Sequence, residues 1–273
     1  MTMIQRMFSI ACKAPTILAL ATVIPLLTAC GPSPDDALLQ QAKTGDPIVQ
    51  DALALAYSNL EQYGKAVQWW TRAAKQGHAP AQVNLGLMYH AGTGTSRDLV
   101  EARRWYQAAA EQGDADGQHN LALLYRRGEG GKRNASKAAA WYLQAAQQGR
   151  AISMTELGEM YAAGEGVPQD QAQALSWWRK AASHGHSGGW VHLADAYARG
   201  DGVSPNRELA YAMLQRAEAS GLEGRSAEWY EQIESQREAL LAFGLGHFTL
   251  MEHAKQLERE GQVDAALADP PSG

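Results

Sequence analysis

The chain has 273 residues, of which 45% are hydrophobic and 19% are charged, and this composition suits a globular protein. Arg6 and Lys13 precede all 29 acidic residues, so residues 31–273 hold 22 basic residues and a formal charge of −7. An acidic body has no long-range attraction for nucleic acid or anionic lipid. The two cysteines, Cys12 and Cys30, cannot form an internal disulfide if the first is removed by processing.

The pattern of the first thirty residues is typical of an export signal. Arg6 and Lys13 are followed by an apolar run over residues 14–27, which Pro15 and Pro25 interrupt. This run is too short for a spanning helix, which needs about 20 apolar residues. Its length is that of the apolar region of a secretory signal.

The stretch Leu27-Thr28-Ala29-Cys30 resembles the processing site of bacterial lipoproteins, in which an aliphatic and two small residues precede a cysteine. The resemblance implies that residues 1–29 are a cleaved signal peptide and that Cys30 carries the lipid. Gly31 stands where inner-membrane lipoproteins of enteric bacteria have Asp, which implies an outer-membrane protein facing the periplasm. Residues 30–34 are then the lipidated cysteine and a tether of about 14 Å at full extension. A plain secretory signal and an N-terminal anchor helix are the alternatives.

The body of the chain repeats with a period of 36 residues, which indicates a repeat array. Four residue types show the period: Tyr89, Tyr125, Tyr161 and Tyr197; Leu85, Leu121, Leu157 and Leu193; Trp105, Trp141 and Trp177; and Gly77, Gly113, Gly149, Gly185 and Gly221. Apolar residues recur at helical spacing twice in each period. Each repeat is therefore predicted to contain two short helices that are stable only when they stack on their neighbours.

Turn and cap residues separate the two predicted helices of each repeat. Paired glycines, such as Gly92 with Gly94, are expected to end the first helix. A short polar acceptor then caps the second helix, at Asp98, Asn134, Asp170 and Asn206. The glycine at the end of each repeat is predicted to be the C-cap of the second helix. Gly86 and its counterparts Ala122, Gly158 and Ala194 are small where a neighbouring helix must come close.

Taken together, these residues are similar to the Sel1-like repeat, a longer relative of the tetratricopeptide repeat. The shared pattern is Ala…Leu-Gly-x-x-Tyr-x-x-Gly-x-Gly-Val…Asp…Ala-x-x-Trp…Ala-Ala…Gly, and residues 172–185 match it best. The resemblance implies an all-α, right-handed α-solenoid of about five helix pairs over residues 46–222. The first repeat is expected to have a tighter turn, and Met213 replaces the tryptophan of the fifth.

Helices outside the repeats are expected to cover the two ends of the array. Residues 35–45 are predicted to form an N-terminal capping helix that Gly45 closes. After residue 222 the period is lost, and residues 223–262 are predicted to contain two C-terminal capping helices, over 226–243 and 247–260. Residues 263–273 are predicted to be a disordered tail.

The regularly spaced aromatic residues have two interpretations. They lie on the alanine-rich periodic face, so Trp105, Trp141 and Trp177 are expected in the core, as is Trp190. The residues that directly follow the core tryptophans are expected to be partly exposed: Trp70, Tyr106, Tyr142 and Trp178. A carbohydrate-stacking surface is the alternative.

No arrangement in the sequence predicts catalysis. His184 and His186, with His192 nearby, suggest a metal site, but two of them flank a turn glycine and are better explained as solvated turn residues. Ser153 and Ser187 have no histidine and acid at the spacing of a catalytic motif, and the glycine-rich residues 92–96 lack the lysine of a phosphate loop. Cysteine-rich relatives of the family act on β-lactams, but this chain lacks their paired cysteines. We therefore expect no enzyme, no cofactor and no metal.

In related arrays the first helices line the concave face, so variable positions on them are the predicted partner-binding residues. They form a groove that is basic in one repeat and acidic in the next, which suits an extended or helical protein segment. Asn84 and Asn120 also resemble one asparagine of the carboxylate clamp of tetratricopeptide domains, although the accompanying lysines are absent. The predicted residues are Asn84, Leu87, His90, Asn120, Leu123, Arg126, Arg127, Glu156, Glu159, His192, Asp195 and Arg199.

Three functions are compatible with these features. The first is a lipid-anchored, periplasm-facing scaffold or assembly factor of an envelope system, such as polysaccharide export or secretion, that binds a partner protein in its groove. The second is an immunity protein, because lipidated Sel1-like proteins resemble the periplasmic antidotes of secreted lipase toxins, here of the type VI kind. The third, an envelope-acting enzyme, is the least supported. Neither nucleic acid nor a small-molecule substrate is expected.

Overall fold

The computed structural model describes residues 34–220 and 247–267, with residues 235, 236 and 238 between them. Throughout these residues the regular secondary structure is helical, with no strand. The helices are α1 Pro34–Ala42, α2 Pro47–Asn59, α3 Tyr63–Lys75, α4 Ala79–Ala91, α5 Leu99–Glu111, α6 Ala115–Arg127, α7 Ala135–Gln147, α8 Ala151–Ala163, α9 Gln171–Ser183, α10 Ser187–Arg199, α11 Arg207–Ala219, α12 His247–Arg259 and α13 Gln262–Ala265. The signal peptide, Cys30, Gly221, the last six residues and all but three residues of the capping helix predicted over 226–243 lie outside the described residues.

The prediction of stacked helix pairs is confirmed. Helices α2 to α11 make five consecutive pairs, in which even-numbered helices are the first and odd-numbered helices the second of each repeat. The first pair has the tight turn predicted for it, since only residues 60–62 separate α2 from α3. Met213 is fully buried in the place of the missing tryptophan.

The chain forms two compact units. Of the described residues, the first unit contains those up to Gly117 with Glu129–Gly131, and the second contains Gln118–Gly128 with those from Lys132 onward. In the first unit α1 packs on α2, and the core is built around Leu53, Trp70 and Leu85. In the second unit α12 and α13 pack on α11, around a core that includes Trp178 and Leu193.

The predicted caps form at the ends of the helices. Asp98, Asn134, Asp170 and Asn206 each accept hydrogen bonds from backbone N–H groups in the first turn of the second helix. The glycine at the end of the repeat lies one residue beyond the C-cap. In the first repeat Gly77 N–H donates to Ala74 O and His78 N–H to Ala73 O, which is the Schellman arrangement.

The second glycine of the inter-helix loop has an additional role in packing. Gly166 has a φ of +74°, and a Cβ atom there would lie 2.3 Å from the carbonyl carbon of Ala135. The loop therefore lies directly on the N-terminus of α7, the second helix of the preceding repeat.

The predicted exposure of the aromatic pairs is wrong. Trp70, Tyr106 and Tyr142 are completely buried and Trp178 is 5% exposed, whereas Trp141, expected in the core, is only half-buried. For Tyr106 and Trp178 the cause is the glycine that faces each ring, because a Cβ on Gly86 would lie 2.6 Å from the Tyr106 ring and one on Gly158 would lie 2.4 Å from Trp178 Nε1. These two rings lie deep because the first helix carries no side chain at the point of contact.

The boundary predicted for the C-terminal tail is also wrong. Residues 262–265 form α13, in which Val263 is fully buried in the core of the second unit. The chain is held further on as well, since Arg179 Nε donates to Ala266 O at 2.9 Å. Val263 lies outside any periodic apolar pattern, so the sequence alone does not indicate that this segment is buried.

Candidate functional site

Three predicted partner-binding residues lie on α4 in the first unit, and all are half-buried. Asn84 Nδ2 donates to Asp51 Oδ1 at 3.3 Å, and the same oxygen accepts from Trp70 Nε1 at 2.8 Å. His90 Nε2 lies 3.1 Å from Glu129 Oε2, and Leu87 packs against the core. Both polar side chains therefore have partners within their own unit.

In the second unit, Arg126 lies at the centre of a group of charged side chains. Its guanidinium contacts Glu156 at 2.6 Å, Glu165 at 2.8 Å and Glu159 at 3.3 Å. Arg133 Nη2 contacts Glu165 at 2.6 Å, and His192 Nε2 lies 3.1 Å from Glu159. We call this group the ion-pair cluster; its members are Arg126, Arg133, Glu156, Glu159, Glu165 and His192.

Burial and neighbouring charges set the pKa values in the ion-pair cluster. Burial raises the pKa of Glu156, and repulsion from Glu159 adds to it, against the opposing attraction of Arg126. Burial also acts to raise the pKa of Glu159, but the hydrogen bond and charge of His192, together with Arg126, lower it overall. Burial alone would lower the pKa of Arg126, but Glu165, Glu156 and Glu159 raise it.

The ion-pair cluster changes the interpretation of the alternating charges. The sequence suggested a basic repeat and an acidic repeat, each available to a partner. In the structure Arg126 on α6 is bound by Glu156 and Glu159 on α8, so most of this charge is neutralised within the chain. Arg127 is exposed, whereas Asn120 and Leu123 are half-buried. Arg199 is exposed and pairs with Asp195 at 3.0 Å.

Sequence reasoning missed Glu165 and Arg133, which lie in the inter-helix loops. A signal for Glu165 was present, because His90 to Glu129 and Arg126 to Glu165 are both separated by 39 residues and make equivalent contacts. Only the packing of successive repeats shows that this spacing brings the two side chains together.

A buried histidine was also missed. His119 Nδ1 lies 2.9 Å from Ser153 Oγ, and the His119 ring lies 5.4 Å from that of Tyr142. Ser153, for which the sequence indicated no histidine partner, thus has one, but its side chain is completely buried and out of reach of a substrate. The positions equivalent to His119 are Val83, Thr155 and Val191, so the histidine fills a site that is usually less polar.

His119 is expected to make the fold sensitive to acid. Burial, with a smaller effect of His186, lowers its pKa to about 4. The unfolded chain, with a pKa of about 6.5, binds a proton at a higher pH than the native state does. Stability present at neutral pH is therefore lost as the pH falls from about 6.5 towards 4. We expect this residue to lower the free energy of unfolding by about 2 kcal/mol between pH 7 and pH 5.

The matched variant is His119→Val, because valine is the native residue at the equivalent positions 83 and 191. Urea unfolding at several pH values should show a shallower loss of stability with acid for His119→Val than for the unmodified chain. If the free energy of unfolding depended on pH in the same way in both proteins, the acid sensitivity could not be attributed to His119.

The three histidines considered as a metal site have different partners. His184 is exposed, and His186 Nδ1 lies 2.9 Å from Thr155 Oγ1. His192 contacts Glu159, and its ring stacks on that of Trp178 with the centroids 4.8 Å apart. His186 is therefore not a solvated turn residue but the N-cap residue of α10. No group of three or more metal-ligating side chains occurs among the residues with described positions.

Among the described residues, no helix has the length and hydropathy needed to cross a membrane.

Comparison with protein families gives a match to the Sel1 repeat over residues 52–78, 79–114, 115–149, 151–186 and 191–222. These five segments together cover more than half of the chain. The chain belongs to the Sel1 repeat family. The five matched segments follow the five helix pairs, and the Sel1 repeats thus account for α2 to α11.

Solved structures include other Sel1 repeat proteins. One from Oxalobacter formigenes is 28% identical, with a TM-score of 0.63 and coverage of 77% of this chain and 88% of that one. The protective antigen c5321 of uropathogenic Escherichia coli is 26% identical, with a TM-score of 0.58 and coverage of 85% of this chain and 66% of that one. Comparison with curated proteins gives no match.

Proposed function

We propose that this Sel1 repeat protein is lipid-anchored, faces the periplasm and binds another protein through the first helices of its repeats. It would hold that partner as a scaffold or assembly factor of an envelope system, such as polysaccharide export or secretion. The observation that carries the proposal is the Sel1 array itself, since Sel1 repeats generally mediate protein–protein interactions. Anchoring rests on the lipoprotein-like stretch 27–30 and on Cys30.

Within the array, the first helices offer side chains that differ from repeat to repeat. Leu87, Leu123, Glu159 and Asp195 occupy equivalent positions and are half-buried, so this position is apolar in two repeats and acidic in the next two. Variation on a constant framework is the way repeat proteins acquire specificity. We propose a binding role and not an enzymatic one, and Ser153, which is enclosed in the core, gives no support for hydrolysis.

Partner binding is tested by reversing one charge on a first helix. Arg127 is exposed on α6, so Arg127→Glu should lower partner capture in crosslinked pull-downs from intact cells about tenfold, with the melting temperature almost unchanged. Lys75→Glu, an equally exposed reversal on the second helix α3, is the matched control and should capture normally. Equal capture by both variants would contradict a first-helix surface. The identity of the captured protein also separates a scaffold from an immunity protein, which would capture a secreted lipase.

The anchor is tested at Cys30. Cys30→Ala should abolish labelling with palmitate and leave the protein either soluble or as an unprocessed precursor. Cys12→Ala, which removes the other thiol, should be labelled normally. Unchanged labelling of the Cys30→Ala variant would rule out the lipid anchor.

A further inference from the structure

We propose that one side of α2 in the first unit lies on the lipid surface to which Cys30 is anchored. This side consists of Ile48, Ala52 and Leu55, and we call it the apolar stripe. The inference deepens the proposed function and rests on its lipid anchor, because it names the part of the fold that touches the membrane.

The first unit carries the exposed large apolar side chains of the described residues. They are Ile48, Leu55, Leu60 and Val100, and all four belong to that unit. Ile48 is 62% exposed and Leu60 is 53% exposed, although transfer of such side chains out of water is favourable. Apolar side chains that are grouped on a surface mark a contact with a protein or with a membrane.

Two of these side chains lie on a continuous stripe. Ile48, Ala52 and Leu55 are separated by four and three residues, so they follow one another along one side of α2 over about 10 Å. The opposite side of α2 packs into the core through Leu53 and Ala54. The helix therefore has two apolar sides, of which one is in the core and the other carries the exposed Ile48 and Leu55.

The equivalent positions of the later first helices are more polar. The helices α2 and α4 both have 13 residues, so Ala52 corresponds to Asn84 and Leu55 to Leu87. Ala52 is followed in the array by Asn84, Asn120, Glu156 and His192, and Leu55 by Leu87, Leu123, Glu159 and Asp195. Only in α2 are both positions apolar. The repeat framework does not require this, so the apolar stripe is a property of the repeat nearest to Cys30.

The short tether holds α2 near the lipid. The first helix α1 begins at Pro34, four residues after Cys30, and a chain of that length spans about 14 Å at full extension. Because α1 and α2 are joined by residues 43–46 and pack on each other, they run antiparallel, and α1 starts beside the end of α2. The axes of packed helices are about 8–10 Å apart, so Leu55 and Leu60 lie within reach of the bilayer that holds the anchor.

The charges around the apolar stripe favour insertion of apolar side chains over attraction between charges. Asp46 before α2 and Glu61 after it are exposed, and residues 31–273 carry a formal charge of −7. These carboxylates are repelled by anionic headgroups. Isoleucine and leucine side chains can instead enter the boundary between the headgroups and the acyl chains. We therefore expect the contact to form on zwitterionic lipid and to be insensitive to salt.

Spin labels on the anchored protein measure this contact directly. Processing removes Cys12 and the lipid occupies Cys30, so a cysteine introduced into the mature chain is its one free thiol. Leu55→Cys is labelled with a nitroxide, and the lipidated protein is placed in phosphatidylcholine nanodiscs. We expect a water-soluble nickel chelate to collide with this label about threefold less often than with a label at Gln147→Cys, an exposed position on α7 in the second unit. Equal access of the chelate to both labels would overturn the inference.

A label at Ala52→Cys tests whether the apolar stripe itself makes the contact. Ala52 lies between Ile48 and Leu55, so replacing both of these residues with glutamate should open the label to the chelate. The matched control adds the same two charges through Gln68→Glu and Gln107→Glu, at exposed positions on α3 and α5, and should leave the label shielded. Circular dichroism checks that both variants are folded. A label that stays shielded in the Ile48→Glu, Leu55→Glu variant would also overturn the inference.

The same samples distinguish this inference from the proposed function. Mass spectrometry shows whether Cys30 carries lipid, and an unmodified Cys30 would reject the anchor and the inference together. A lipidated protein whose label at position 55 is open to the chelate would reject the inference alone. A label that becomes shielded only when the captured partner is added would assign the apolar stripe to that protein, and it would likewise reject the lipid contact.

Discussion

Replacing Trp70 with alanine is expected to lower the free energy of unfolding by about 3–5 kcal/mol. Trp70 is completely buried between α2 and its own helix α3, and its Nε1–H donates to Asp51 Oδ1 at 2.8 Å. The substitution creates a cavity and also removes a donor from Asp51, which is itself only 9% exposed. Urea unfolding followed by circular dichroism measures the loss.

The matched control is Trp141→Ala. The sequence alone places Trp141 in the core, but in the structure it is half-buried, while the neighbouring Tyr142 is completely buried. Truncation of Trp141 removes less buried apolar surface than truncation of Trp70 does. We therefore expect the free energy of unfolding to fall by only about 1–2 kcal/mol. A larger loss for Trp141→Ala than for Trp70→Ala would contradict the arrangement of the aromatic residues described above.

Arg126→Glu is expected to be the most damaging substitution on the first-helix surface, with a loss of about 3 kcal/mol. It removes the cation that Glu156, Glu159 and Glu165 share and places a fourth carboxylate among them. The Arg126 side chain is 21% exposed, so water does not fully screen the repulsion.

Arg127→Glu is the control for this substitution, because the same change at the adjacent, exposed position should alter stability by less than about 0.5 kcal/mol. Thermal and urea unfolding of the two variants provide the comparison. A pair of variants with the same stability would show that Arg126 does not hold the cluster together. The expected difference in stability is the reason why Arg127, and not Arg126, is altered in the binding assay.

The repeat architecture could be predicted from the sequence because its determinants are local and periodic. Asp98 and Asn134 cap helices through hydrogen bonds to residues two or three positions ahead, so their role can be inferred from a short window. The 36-residue period then extends each local inference to the other repeats. Lipidation at Cys30 stays a prediction, since that residue lies outside the described positions.

The depth of the aromatic residues could not be predicted from helical spacing alone. Trp105 and Tyr106 are adjacent, and both lie on the buried face of α5. The packing partner decides between them, and Tyr106 is the deeper because Gly86 leaves room for its ring. Gly86 and Tyr106, like Gly158 and Trp178, are 20 residues apart, and this common spacing is the sequence signal for the contact.

The proximity of Arg126, Glu156 and Glu159 could be predicted from the sequence, which assigns all three to the first helices, and the structure places them together. That a partner binds there stays a prediction. The mutual neutralisation of these three side chains was not predicted, because it depends on which residues of successive repeats face each other. His119 and Ser153 were missed for the same reason, since they are 34 residues apart and meet only when the repeats stack.

The most direct test of the account is hydrogen–deuterium exchange of the full-length protein, free and bound to the partner that it captures. Binding through the first helices predicts added protection in α6, α8 and α10, with little change in the second helices α7, α9 and α11. Protection concentrated in the second helices would contradict the account.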